Sequence, residues 1–235
     1  MSNVNNNSAP LSIGMVLFPA LTQLDLTGPY EVFCRMPGAK VHLLAESAAP
    51  VRSEFGLTIA PDCGFDQAPP LDILCVPGGW GVNAQLENAV LLDFLRAQSH
   101  ARYVTSVCSG AFLLGAAGLL DGYRATTHWM SLDLLPLVGA IPVADRVVVD
   151  RNRITGAGVT AGIDLALVIA AELFGAAKAQ SIQLAVEYDP APPFESGSPR
   201  TAPGEIRDRL LEASQTALIQ RREGIQRAMQ KSATN

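Results

Sequence analysis

The chain has 235 residues, 49% of them hydrophobic and 17% charged, with a formal net charge of −5. That length suits one large domain with a sizeable core, the apolar fraction excludes wholesale disorder, and the acidic balance argues against nucleic acid as the main partner. Cys34, Cys63, Cys75 and Cys108 show no metal-ligand spacing, and a chain this long needs no disulfide framework; no metal is expected, and reduced thiols in the cytoplasm are.

The opening MSNVNNNSAP lacks the basic and apolar regions of a signal peptide, so residues 1–10 read as a flexible leader. Strand and helix patterns then alternate. SIGMVLF (12–18) reads as a strand followed by a helix over Leu26–Met36, KVHLLAE (40–46) as a second strand, and Leu57–Pro61 as a short hairpin arm. DILCVP (72–77) is a strand entering the glycine loop GGWG (78–81), with one helix expected across Ala84–Gln98. YVTSV (103–107) is short, apolar and β-branched, whereas Ser109–Leu119 is small and apolar with helical spacing, ending near Gly118. RVVVDRNRITGAG (146–158) reads as a hairpin turning at DRN.

Thr160 stands where it would cap a long helix to Phe174, which Asp164 and Glu172 mark as a core helix and not a membrane span. Another helix fits Ala176–Glu187. The Pro/Gly/Ser-rich run 188–203 should cross the surface, and a charge-bearing helix from Gly204 to about Met229 should be solvated or pack on a dimer partner. The organisation expected is therefore one domain over 11–203 and a C-terminal helix within 204–235, packed on the domain or on a partner copy. The β-α-β-α order implies an α/β fold, a mostly parallel sheet with helices on both faces.

In such sheets ligands gather at the carboxyl ends of the strands. Cys108, GGWG and QLDLTGP (23–29) all fall there. A thiol at the first residue of a helix meets unpaired backbone N–H groups and the positive end of the helix dipole, so its pKa should fall below about 8.5. A tight strand–turn–helix elbow would also lift it out of the packing. Position alone leaves a second reading open, a buried thiol acting as a small apolar residue. Asp25, between Leu24 and Leu26, either caps the helix that follows or aims at the site. GGWG is either a tight turn or a set of backbone donors for a reacting centre. Its Trp80 either closes part of a pocket with an aromatic face or packs outward against the next helix. None of the histidines, His42, His100 and His128, adjoins the cysteine in sequence.

Taken together, LDLTGP (24–29), PGGWG (77–81), ARYVTSVCSG (101–110), LLGAAGLLDGYRATTHW (113–129), TAGIDLAL (160–167) and EYDPAPPFESGSPRTAP (187–203) resemble the ThiJ/PfpI superfamily, flavodoxin-like relatives of class I glutamine amidotransferases with a nucleophile-elbow cysteine. Within it the chain resembles the isocyanide hydratases, from about Ile13 to Pro203. The resemblance implies cofactor-independent addition of water to a small-molecule isocyanide, giving an N-substituted formamide. It further implies Cys108 as nucleophile, Asp25 as general acid/base, Gly79 and Ser109 as backbone contacts near the thiol, and the Val159 main chain as a hydrogen-bond partner of the sulfur. A homodimer is implied as well. The chain departs from the family pattern at Ser109, Trp80 and Ala157. AraC-type regulators share the domain but add a helix-turn-helix module of about a hundred residues; only about thirty residues follow Pro203 here, which favours the enzyme. Superfamily proteases place histidine after the cysteine and deglycases carry glutamate as the acid, where this chain has Ser109 and Asp25.

Overall fold

The computed structural model describes residues 10–233, so all but the last residue of the expected leader lies outside the described residues. β1 (Leu11–Val16) leads into α1 (Gln23–Phe33) and β2 (Ala39–Ala45). A small hairpin of β3 (Val51–Arg52) and β4 (Thr58–Ile59) stands apart from the main sheet and contains the arm expected near Leu57. β5 (Cys63–Gly64) and β6 (Ile73–Val76) follow. The single helix expected over Ala84–Gln98 is two, α2 (Val82–Gln85) and α3 (Ala89–Ala97). Asn88 is the reason: its side chain accepts from the Leu91 N–H at 3.3 Å and starts a fresh helix.

After β7 (Tyr103–Val107), Cys108–Gly110 forms a 3₁₀ turn and α4 (Ala111–Ala116) is shorter than expected. The next stretch carried no sequence assignment. It holds β8 (Arg124–Ala125), 3₁₀ turns over Trp129–Val138, and β9 (Ile141–Pro142). β10 (Val147–Asp150) and β11 (Arg153–Gly156) are the expected hairpin. α5 (Ala161–Phe174), α6 (Ala176–Ala185) and α7 (Gly204–Ala233) complete the chain. Thr160 precedes α5 without capping it; its hydroxyl instead accepts from Arg146 Nη2 at 3.1 Å. Asp164, the charge in that apolar helix, binds Arg146 at 2.6 Å and the Tyr188 hydroxyl at 3.0 Å, fastening the start of the Pro-rich run to the domain.

The main sheet runs β10-β11-β7-β6-β1-β2-β5, and only the β10–β11 pairing is antiparallel. Every residue of β6 and β11 is buried, so side chains alternating to opposite faces are covered on both. α1 packs against α5 in one helical group, and α4 against α3, α2 and α7 in the other. No described helix is long and apolar enough to cross a membrane.

The chain leaves β1 toward β2 on one side and later returns to β6 on the other, which makes the β1/β6 boundary a topological switch point. Register holds the three central strands level: Met15 pairs with Cys75, and Cys75 with Thr105. The loops after β1, β6 and β7 consequently open at one crevice. Gly110 lets the elbow settle onto β6, since a Cβ there would lie 2.3 Å from the Val76 carbonyl oxygen. Gly110→Ala should cost about 3 kcal/mol by overpacking and lower the melting temperature on the order of 10 °C. An unchanged thermal transition would contradict this packing.

Candidate active site

Cys108 is a non-glycine residue with φ of +56°, between an extended Val107 and the 3₁₀ turn. Such a conformation is uncommon for a residue with a Cβ and persists only where its surroundings hold it. The Thr127 hydroxyl helps to hold it, donating to the Cys108 carbonyl at 2.8 Å. The result is a strained elbow with a thiol only 7% exposed, on the wall of a cavity of about 200 Å³. Cys75, by contrast, is fully buried in β6, and all four thiols are free.

Asp25 lies in the first turn of α1, but it does not cap that helix. Its Oδ2 reaches across the crevice to accept from the Gly78 N–H at 2.9 Å, while Oδ1 has no partner of its own among the described residues. Burial raises this carboxyl to about 7; the Gly78 N–H and the Cys108 thiol pull it down, and Glu54 pushes it up. The thiol is raised well above its ordinary range, first by burial and then by Asp25, with the Ser109 N–H and Arg221 opposing. The thiol pKa expected to be lowered by a helix terminus is thus raised. Only a 3₁₀ turn and six residues of α4 stand behind the elbow, and their dipole does not outweigh burial beside a carboxyl.

The glycine loop holds the site together more than it offers donors. Gly78 donates to Asp25, and Gly79, at φ +129°, donates to Ser109 Oγ at 3.0 Å. The Ser109 hydroxyl returns a bond to the Gly79 carbonyl at 3.1 Å. Gly79 lines the same cavity as Cys108, where backbone contacts near the thiol were expected, with its N–H engaged by Ser109 Oγ, and the Ser109 N–H draws the thiol's pKa down. Val159 lines the cavity, yet no hydrogen bond joins its main chain to the sulfur among the described residues. Trp80 also lines the cavity while remaining 39% exposed.

Several cavity residues were not singled out in the sequence as members of the site. Glu54 and Phe55 arrive from the β3–β4 connection, with the Glu54 carboxylate accepting from the Thr22 hydroxyl at 2.8 Å. His128 shares the wall, but its Nδ1 accepts from the Met130 N–H and burial lowers its pKa to about 4, so it stands neutral. Arg221 comes from α7, 113 residues beyond the cysteine in a helix expected to be solvated or to pack on the domain or a partner copy, with no residue of it assigned to the site. The one available signal was its place on the stripe Arg221, Gly224, Ile225 and Ala228, whose helical spacing marks a buried face.

A strained cysteine elbow at the switch point of a parallel sheet, paired with a buried acid, defines the class. The DJ-1/PfpI family matches residues 11–172, and the chain belongs to that family. Its similarities extend further along the chain. It is 54% identical over 222 residues to the isonitrile hydratase of Pseudomonas putida, covering 94% of this chain and 97% of that one. The crystal structure of a ThiJ/PfpI family protein from Pseudomonas syringae superposes with a TM-score of 0.89 at 43% identity, covering 96% of this chain and 97% of that one. The transcriptional regulator GbdR of Pseudomonas aeruginosa is 34% identical, but over 68% of this chain and 46% of its own.

Asp25 also makes stability depend on pH. A carboxyl at about 7 when folded, against 3.8 when free, gives a contribution that is complete below pH 4 and lost as pH rises through 7. Each unit is worth about 1.4 kcal/mol, so ionised Asp25 costs the fold on the order of 4 kcal/mol. Asp25→Asn stays neutral throughout and should melt higher than the parent protein at pH 8.5 and alongside it at pH 4. Equal melting temperatures at both pH values would show that Asp25 is not held against its ionisation.

Proposed function

We propose that the protein is a cofactor-independent isocyanide hydratase, a lyase that converts an isocyanide and water into an N-substituted formamide. The observation that carries this reading is the near-full-length 54% identity to the Pseudomonas putida isonitrile hydratase. The site chemistry supports it: the Cys108 thiol on the wall of a small cavity is coupled to the buried Asp25 carboxyl, and the one histidine lining that cavity is neutral and turned to a backbone N–H.

Cys108 is the nucleophile and Asp25 the general acid/base. The isocyanide carbon carries a lone pair and an electrophilic site on the same atom. Cys108 sulfur bonds to that carbon while Asp25 gives it a proton, leaving a thioimidate and an ionised Asp25. The carboxylate then takes a proton from water as the water oxygen attacks the same carbon. The hydroxyl proton of the adduct passes to nitrogen, the C–S bond breaks, and formamide departs from a thiolate facing a protonated Asp25. The free pair holds one proton between thiol and carboxyl before attack and again after formamide leaves. Ser109 contributes its N–H at the sulfur, Gly79 and Val159 shape the wall around it, and Trp80 offers an aromatic face to the substrate's substituent.

The working form is a homodimer. Leu184, Phe194, Ile206 and Leu210 are large apolar side chains left 80%, 76%, 49% and 48% exposed on α6, the Pro-rich run and α7, which supports an interface there. Light scattering should give twice the chain mass at micromolar concentration; a monomer throughout that range would count against it.

Incubation with an alkyl or aryl isocyanide tests the activity directly. Cys108→Ala should reduce formamide release to background, whereas Cys34→Ala, Cys63→Ala and Cys75→Ala should keep most of it. Asp25→Asn should fold and lose about 10²–10⁴-fold, the usual weight of a positioned acid/base. Near-native turnover by the Cys108 variant would sink the covalent route.

A further inference from the structure

α7 lies beyond the residues matched by the family, yet it delivers a charge into the cavity. Arg221 is 3% exposed. Its Nε donates to Asn83 Oδ1 at 2.9 Å, Nη1 to Ser131 Oγ at 2.9 Å, and Nη2 to the Gly79 carbonyl at 3.4 Å. The guanidinium carbon stands 5.1 Å from the centre of the Trp80 ring and 5.9 Å from that of Phe112. All three hydrogen-bond acceptors are neutral. A buried cation held only by neutral acceptors is costly, and replacing such charges with apolar groups is often neutral or stabilising. Its presence calls for a negative charge nearby.

The titratable and charged groups facing it identify that charge. Cys108 from the elbow and Glu54 from the β3–β4 connection interact with it electrostatically, and Asp25 stands behind Cys108. His128, from the turns after β8, stays neutral beside it. Glu54 is already hydrogen-bonded to Thr22. Of the two influences on Arg221 the thiol is the stronger, and turnover by the thiol–carboxyl pair requires one negative charge in a buried place.

We propose that Arg221 is the counter-charge of the Cys108–Asp25 pair, a positioning residue that lets the pair carry its single negative charge inside the cavity. It also clamps the Gly79 carbonyl, and so braces the loop that holds Ser109 and Asp25. The inference rests on Cys108 being the reacting thiol of the proposed function, not on the identity of the substrate.

Alkylation by iodoacetamide reads the thiol without any isocyanide. A Cys34→Ser/Cys63→Ser background removes the two more accessible thiols, and Cys75, buried and raised to about 12, stays silent. Across a pH series, Arg221→Met should shift the midpoint of Cys108 alkylation upward by at least one unit, with about tenfold slower reaction at neutral pH. Arg221→Lys keeps the charge but not the fork, and should hold the midpoint within a few tenths while the melting temperature falls. A folded Arg221→Met protein with the parent midpoint overturns the proposal. So does loss of fold in both variants, which would make Arg221 purely architectural. A shifted midpoint in a protein that releases no formamide leaves this inference standing and counts against the isocyanide as substrate.

Discussion

The Cys108 thiol and the Asp25 carboxyl are buried side by side, and each, once ionised, opposes the other's ionisation. Burial and Glu54 raise Asp25, while burial and Asp25 raise Cys108, so each group resists ionisation when the other is ionised. The surrounding structure answers that repulsion. Gly78 gives its N–H to the carboxylate, Ser109 gives its N–H to the sulfur, and Arg221 brings a positive charge without a carboxylate hydrogen-bonded to it. A histidine ionised at this place would be a worse partner, as His128 shows: buried beside Arg221, it is held neutral.

Sheet order is what lets these groups meet. Asp25, Gly78 and Cys108 are separated by tens of residues, yet each follows a strand of the level trio β1, β6 and β7. The close approach of the loops is possible because their glycines carry no Cβ. One added at Gly78 would lie 2.5 Å from the Ser109 nitrogen, and one at Gly79 2.5 Å from the Thr22 nitrogen. GGWG is therefore the spacer that lets the loops of Asp25 and Cys108 approach, its Gly78 N–H fixing Asp25 and its Gly79 N–H fixing Ser109.

The strand–helix alternation was legible because buried parallel strands such as ILCV are continuous apolar runs bounded by turn residues. The elbow was legible too, since a β-branched strand met a run of small residues at Cys108. Local chemistry misled in two places. Asn88 split a helix that hydrophobic spacing joined, and the lowered thiol pKa assumed a helix dipole that a 3₁₀ turn does not supply. The region between Leu120 and Val147 escaped because its two-residue strands and 3₁₀ turns have no period to detect. Glu54 and Arg221 escaped for a different reason: a charged residue in a hairpin or helix looks solvated until tertiary packing buries it.

That last blindness bears on how the fold diversifies. The matched family region, residues 11–172, contains Asp25, GGWG and the cysteine elbow, and a regulator such as GbdR shares sequence across much of the same chain. Sequence likeness over this region by itself therefore does not separate an enzyme from a regulator. Part of the site's environment here is supplied from outside the matched family region. In this chain α7 turns the stripe Arg221, Gly224, Ile225 and Ala228 inward; a Cβ on Gly224 would stand 3.0 Å from Leu86, close enough to show how near α7 comes to the end of α2. That approach carries a guanidinium to the carbonyl of Gly79. A helix beyond the matched family region thus adds a positive charge to a cavity whose Glu54 carboxyl comes from within it, and that charge favours ionisation of the elbow thiol without altering the sheet that positions it.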